Sequence, residues 1–260
     1  MIKIDQGKCI GCLKCVAVCP FNVLKIKDGR PDFPEGSSCI KCLHCAAACP
    51  QLAIGLDEIE GVVAEELPKM PENFSELMEG YLMTRRSYRH FKSEPVPKEI
   101  LEQALSVSAW APSAKNQHPV KWVVVSDANK IRSIMDHILE YVKEAGISPE
   151  VAKLYEQGKN VVLGNAPTLI LAYCRTDAVN PFTDTALALY NVELMLQSKE
   201  FGTCWAGYLM RFCNQIPALR EMLNLPEGCQ FYGALLAGSP KNEEYLHIPN
   251  RHKMPKIQWI

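Results

Sequence analysis

Eight of the twelve cysteines in this 260-residue chain fall in two runs, CIGCLKCVAVCP at residues 9–20 and CIKCLHCAAACP at 39–50. In each run three cysteines are spaced by two residues, a fourth follows after three more, and a proline comes directly behind it. A loop of two-residue steps can wrap three thiolates around three corners of one cluster, while the fourth cysteine begins a helical turn that carries it to the other. This is the ligation pattern of bacterial cubane iron–sulfur centres. It assigns Cys9, Cys12, Cys15 and Cys49 to one [4Fe–4S] cluster and Cys39, Cys42, Cys45 and Cys19 to a second. Pro20 and Pro50 lack an N–H and close the segments. The residues between are small or apolar, among them Ile10, Ala17, Ala46 and Ala48, as a dry shell with backbone N–H groups aimed at sulfur requires. Zinc takes four tetrahedral ligands, usually as two separated cysteine pairs, and the repeated three-plus-one pattern does not suit it. His44, inside the second run, reads as a surface residue rather than a ligand.

Residues 1–56 closely resemble a bacterial two-cluster ferredoxin, whose chemistry is one-electron transfer. The start, MIKIDQGKC, has no apolar run like a signal peptide, and no window reaches the roughly 18 apolar residues of a membrane span. A soluble, cytoplasmic chain is the expectation, and there clustered cysteines serve as thiolate ligands rather than disulfides. Net charge is −1, which argues against a nucleic-acid binder with a broad basic field. The distribution is uneven. Residues 1–56 carry seven Lys/Arg against four Asp/Glu, residues 57–83 one against eight, and residues 84–260 twenty against seventeen. The acidic stretch opens a connector, residues 57–73, whose ELPKMP at 66–71 favours an extended, stiff path.

Three further pieces could hold a nucleotide-like cofactor. There is no GxGxxG and no GxxxxGK[ST], so its phosphate needs another grip. Arg85, Arg86, Ser87 and Arg89 place three guanidinium groups and a hydroxyl within five residues, a match for a phosphate or for the carbonyl edge of a flavin pyrimidine. APSAKNQHP at 111–119 is a polar loop whose Asn116 and Gln117 can bond ring amide edges, and PNRHKMP at 249–255 carries Arg251 and Lys253. Taken singly, these are a solvated basic face, a turn and a basic tail.

The elements around them alternate. A helical pattern starts near Phe74 with Leu77, Met78, Tyr81 and Leu82 on one face; another spans 97–110 from Pro97; a third covers 128–145. KWVVVSD reads as a buried strand, and PTLILAYC at 167–174 and QFYGALLAG at 230–238 as two more. Residues 184–201 are apolar on nearly every side, which calls for a central helix or one packed on a partner. Cys174, Cys204, Cys213 and Cys229 stand singly in apolar context and read as buried hydrophobes.

In order and spacing, RRSYR at 85–89, PSAKNQHP at 112–119, GTCWAG at 202–207 and RHK at 251–253 together resemble the flavin-dependent nitroreductase family over residues 74–260. The resemblance implies an α+β fold, a mixed sheet flanked by helices behind the ferredoxin-like module. It implies FMN bound by Arg85, Arg86, Ser87 and Arg89, with Arg251 and Lys253 on its phosphate. Ala206 and Gly207 would present backbone N–H groups to the reactive N5 edge. Pro112, Ser113 and Asn116 would reach FMN from the second subunit of a homodimer. His118 stands where many members have glutamine, and Ala206 where some have an acidic residue, so substrate preference can differ here. His118 invites a role as proton donor, although a loop histidine making one hydrogen bond is the simpler reading.

The function implied is an oxidoreductase that takes electrons through two [4Fe–4S] clusters, gathers them on FMN and passes a pair to a small electrophile such as a nitroaromatic, quinone or activated alkene. The donor expected is reduced ferredoxin, in an anaerobe. The rival readings are an electron-transfer adaptor between protein partners and, on the same fold, a reductive dehalogenase or flavin-fragmenting enzyme.

Overall fold

A computed structural model describes residues 2–57, 66–241, 245–251 and 253–260. Residues 58–65 of the acidic connector lie outside them, as does His252 of the basic tail. The chain forms two compact units, residues 1–72 with 115–117, and residues 73–114 with 118–260. No helix among the described residues is long and apolar enough to cross a membrane.

The first unit is built as a repeat. Strand β1 (Ile2–Ile4) pairs antiparallel with β4 (Ile54–Leu56), and β2 (Lys25–Lys27) with β3 (Arg30–Asp32). Two one-turn helices, α1 (Lys14–Ala17) and α2 (His44–Ala47), carry Cys15 and Cys45. The third cysteine of each run therefore sits in the helical turn, and the fourth lies just past its end rather than at its start. The reason is the backbone that precedes each helix: Leu13 and Leu43, both left-handed with φ of 58° and 59°, end the loop and start the helix one residue before the third cysteine. Ile2, Cys15, Leu24, Cys45, Ala46 and Ile54 form a small shared core.

The second unit holds a four-stranded sheet in the order β5 (Lys121–Val125), β6 (Thr168–Arg175), β8 (Cys229–Gly238), β7 (Gly202–Trp205). β6 and β8 alternate cleanly: Leu169, Leu171, Ala234 and Leu236 face one core, and Ile170, Ala172, Leu235 and Ala237 the other. The first core is covered by α5 (Ala128–Ala145) and α8 (Gly207–Gln215), through Ile134, Ile138, Leu209 and Phe212. The second is covered by α4 (Lys98–Ser106) and α7 (Pro181–Ser198), through Leu101, Ala104, Leu189, Val192 and Leu196. Helix α3 (Phe74–Thr84) precedes these, and α6 (Pro149–Glu156) and α9 (Pro217–Met222) fill connections.

This is an α+β fold, but all pairings within the sheet are antiparallel, where the sequence reading expects a mixed sheet. The connections explain it. β6 and β7, joined through the single helix α7, run the same way, yet β8 lies between them and opposes both. β5 is likewise not buried as expected: it is an edge strand, and only Val125 of its five residues is buried. Helix α7 starts at Pro181, three residues before the expected start, because Pro is preorganised for the first helical position.

Candidate functional site

In the first unit, Cys9, Cys12, Cys15 and Cys49 line one solvent-open cavity of about 330 Å³, closed below by Ile4, Ala53 and Ile54. Three members come from the first run and one from the second. The loops around them follow the thirty-residue repeat. Gly11 and Leu13 are left-handed, as are Lys41 and Leu43, then Asn22 and Leu52. Left-handed residues at alternate positions are the backbone feature of the nests that turn N–H groups toward anionic clusters. Val23 N–H donates to Cys19 Sγ at 3.4 Å and Ala53 N–H to Cys49 Sγ at 3.3 Å, again thirty residues apart. Lys41 N–H donates to Cys39 Sγ at 3.3 Å. Among the described residues, no three His, Cys, Asp or Glu side chains converge on a point as a single metal ion needs. The four cysteines ring a space instead, which fits a polynuclear centre.

Burial pushes the Cys45 thiol up to about 11, and the neighbouring Cys39 and Cys42 add to the shift. Cys15 moves up for the same first reason, burial, with Cys49 and Cys12 contributing. At Cys19 burial also pushes up, but the N–H groups of Val23, Phe21, Leu24 and Asn22 outweigh it and the net shift is down. His44 is exposed.

In the second unit, a cavity of about 1130 Å³ is lined by Arg89, Lys159, Asn160, Cys204, Ala206 and Gly207, with Trp205 and Tyr208 at its side. Among the described residues, its charged lining is Arg89 and Lys159, with no acidic side chain. The segment from Arg85 to Arg89 is fixed from below by a buried polar group on α7 and β7. Glu193, 6% exposed, accepts from Arg85 Nη1 and from the Thr203 hydroxyl, each at 3.3 Å. Gln197 donates to the Arg86 carbonyl at 2.9 Å and to Thr203 Oγ1 at 2.7 Å. Tyr88 N–H donates to the Thr203 carbonyl at 2.8 Å. Burial pushes the Glu193 carboxyl up, and the Arg85 guanidinium and Thr203 hydroxyl hold it back.

The expected flavin residues divide. Arg89, Ala206 and Gly207 line the large cavity. Arg85 is engaged by Glu193, while Arg86 donates to the Met83 and Arg85 carbonyls and stands 5.8 Å from the Tyr245 ring centroid. Ser87 offers its carbonyl to Arg89 Nη1 at 3.2 Å. Ala206 cannot present its N–H to a ligand, because that N–H closes onto the Ala234 carbonyl at 2.8 Å; the unpaired donors begin with Gly207 in the first turn of α8. Pro112, Ser113 and His118 line a different cavity of about 470 Å³, with Asp184. Asn116, in the first unit, donates its amide to the carbonyls of Ile40 and Lys41 at 3.1 and 3.2 Å. Arg251 and Lys253 are exposed. His118 N–H donates to Ser113 Oγ at 3.0 Å.

Sequence reading missed the loop between α6 and β6. Gly158, Lys159, Asn160, Gly164 and Asn165 line the same large cavity as Arg89. Its paired Gly and Asn residues are a turn signal, but nothing local says that the turn closes on a distant arginine. Asn160 Oδ1 caps it by accepting from the N–H groups of Val162 and Leu163 at 3.2 and 2.8 Å.

The two parts of this chain have known counterparts. The profile of the Nitroreductase family matches residues 82–239, and that of the 4Fe-4S dicluster domain residues 1–60. The chain belongs to the nitroreductase family, with an iron–sulfur dicluster domain ahead of the family's fold. A protein of Archaeoglobus fulgidus, provisionally named NADH dehydrogenase/NAD(P)H nitroreductase, is 25% identical over 63% of this chain and 85% of its own length. Iodotyrosine deiodinase 1 of Rattus norvegicus is 34% identical over 70% of this chain and 62% of its own length. A crystal structure of a Bacteroides fragilis nitroreductase with bound FMN shares the fold, with a TM-score of 0.60, 22% identity, and coverage of 70% of this chain and 97% of that one.

Proposed function

We propose that the chain is an oxidoreductase in which two [4Fe–4S] clusters feed FMN, with a small electrophilic molecule as the final acceptor. Its domains would be 1–56 for the clusters, 57–73 as connector and 74–260 for the flavin. The observation that carries the reading is the presence of two cavities in one chain, one ringed by four thiols and one lined, among the described residues, by Arg89 and Lys159 with no carboxylate. When bound, the clusters supply one-electron transfer and FMN supplies hydride chemistry.

The residues present fit both groups. Cys9, Cys12, Cys15 and Cys49 would hold one cluster, and Cys39, Cys42, Cys45 and Cys19 the other. Backbone N–H groups donate to the sulfurs of Cys19 and Cys49, and at Cys19 they hold the thiol below its usual range. In the large cavity Arg89 would offer a guanidinium suited to a flavin carbonyl edge, and Gly207 a helix-terminal N–H. Arg85, Arg86 and Ser87 complete that segment, with Glu193 orienting Arg85. Arg251 and Lys253 supply cations for the phosphate. Pro112, Ser113 and Asn116 would belong to the partner's flavin in a homodimer, which suits their place outside the large cavity. Trp205 and Tyr208 give an aromatic wall for the acceptor. His118 is the candidate proton donor to it.

The deciding experiment is an anaerobic visible spectrum of the purified chain with iron and flavin counts. About eight irons and one FMN per chain support the scheme, and zinc without flavin overturns it. Turnover under a chemical reductant, over a panel of nitroaromatics, quinones, activated alkenes and halogenated phenols, then separates an enzyme from an adaptor that relays electrons between proteins. The similarity to the rat deiodinase gives the dehalogenase reading its place on the panel, read as halide release.

A further inference from the structure

The loop from Pro112 to Pro119 holds an unfavourable backbone. Lys115, Asn116 and His118 are all left-handed, with φ of 51°, 55° and 43°. Non-glycine residues stay in that region only where their surroundings over-determine them. One brace is local, from Ser113 Oγ to the His118 N–H. Asn116, within the loop, also donates its amide to the Ile40 and Lys41 carbonyls. A further brace comes from 70 residues away: Asp184 Oδ1 accepts the Ala114 N–H at 2.9 Å.

Asp184 is an unusual choice for its position. It is 3% exposed, in the first turn of α7, and its second oxygen has no hydrogen-bond partner among the described residues. A buried carboxylate with one oxygen unbonded is a costly arrangement, and an apolar side chain would suit the surrounding core better. What the carboxylate does supply is an acceptor aimed at the one loop amide between Ser113 and Lys115. The helix N-terminus eases the burial of its charge.

We infer that Asp184 is a positioning residue, holding the Pro112–Pro119 loop in its flavin-contacting shape by accepting the Ala114 N–H. The inference rests on the reading that this loop contacts FMN. The acceptor oxygen is what matters, so a neutral amide that keeps it keeps the function. A loop released from this brace spreads over other backbone conformations, and FMN must then reorder it on binding.

The test uses the full-length chain freed of flavin, with Asp184→Ala and Asp184→Asn. FMN affinity is read by fluorescence quenching, and protection of the Ala114 amide by hydrogen exchange without FMN. Asp184→Ala is expected to weaken FMN binding about tenfold and to remove Ala114 protection, while β6 and β8 amides stay protected. Asp184→Asn is expected to restore both to near the parent values. Unchanged FMN affinity in Asp184→Ala overturns the inference, and so does an Asp184→Asn variant as weak as Asp184→Ala, which would assign the effect to charge. Failure of the parent chain to bind FMN overturns the flavin reading itself, a result distinct from both.

Discussion

At the scale of single residues, the cysteine assignment has a sharp consequence. If Cys49 serves the cluster of the first run, Cys9→Ser and Cys49→Ser damage the same centre, and the double variant loses no more iron than either single one. Each should retain about four of about eight irons per chain. Cys39→Ser combined with Cys49→Ser should instead lose nearly all. Iron assay with electron paramagnetic resonance reads both, and the opposite pattern would show that each run ligates only its own cluster. Glu193 gives a second test. Its carboxyl is pushed up by burial, so the folded state favours the protonated form more than the unfolded chain does. The stability it contributes is therefore greatest at low pH and is lost as pH rises through the raised value. The melting temperature of the parent relative to Glu193→Gln, which does not titrate, should fall as pH rises from below the usual glutamate range toward neutrality. A difference that stays flat with pH would remove Glu193 as a titrating group.

At the scale of elements, two close approaches set the arginine segment against its supports. A Cβ added at Gly202, the first residue of β7, would lie 2.6 Å from Tyr88 Cγ. A Cβ at Gly164, whose φ is 55°, would lie 2.9 Å from the Arg89 carbonyl oxygen. Neither neighbour can yield without moving the Arg85–Arg89 backbone. Gly202→Ala and Gly164→Ala should each destabilise the second unit by about 1–3 kcal/mol and weaken FMN binding, measured by thermal melting and flavin titration. A normal flavin affinity in both would mean that the segment's position does not matter to the cofactor. GTCW was legible as a glycine-bearing stretch after a long helix, yet its pairing with β8 and its contact with Tyr88 were not. The β8 partners lie about thirty positions further on and Tyr88 more than a hundred positions back.

At the scale of the whole molecule, α7 divides its apolar surface. Leu189, Val192 and Leu196 enter the sheet's second core, while Phe182, Leu187 and Tyr190 remain exposed at 65%, 39% and 40%. A helix apolar on nearly every side thus covers one core and leaves a face unmatched in a single chain. The homodimer proposed for this chain would bury that face. Leu187→Glu should shift the native mass toward a single chain and lower flavin occupancy, while a dimer of unchanged mass and occupancy would exclude Leu187 from the interface. Cysteine spacing, the short apolar runs PTLILAYC and QFYGALLAG, and the 3.6-residue period of 128–145 are local patterns, and they marked the iron–sulfur module, the two central strands and one covering helix in advance.

Other features depended on chain closure. The wish of β5 for burial could not be read against its place at the edge, since KWVVV looks the same in a central strand. Ala206 looked available as a donor until β8 was laid beside it and took its N–H. Lys159 and Asn160 carried no motif, and the fold alone brings them to Arg89. Spacing along the chain determines which thiols can share a loop, because that geometry is local. Which amide is already bonded, which carboxylate is buried and which loop lines a cavity follow from long-range packing, where the partner lies tens of residues away and no short pattern encodes it.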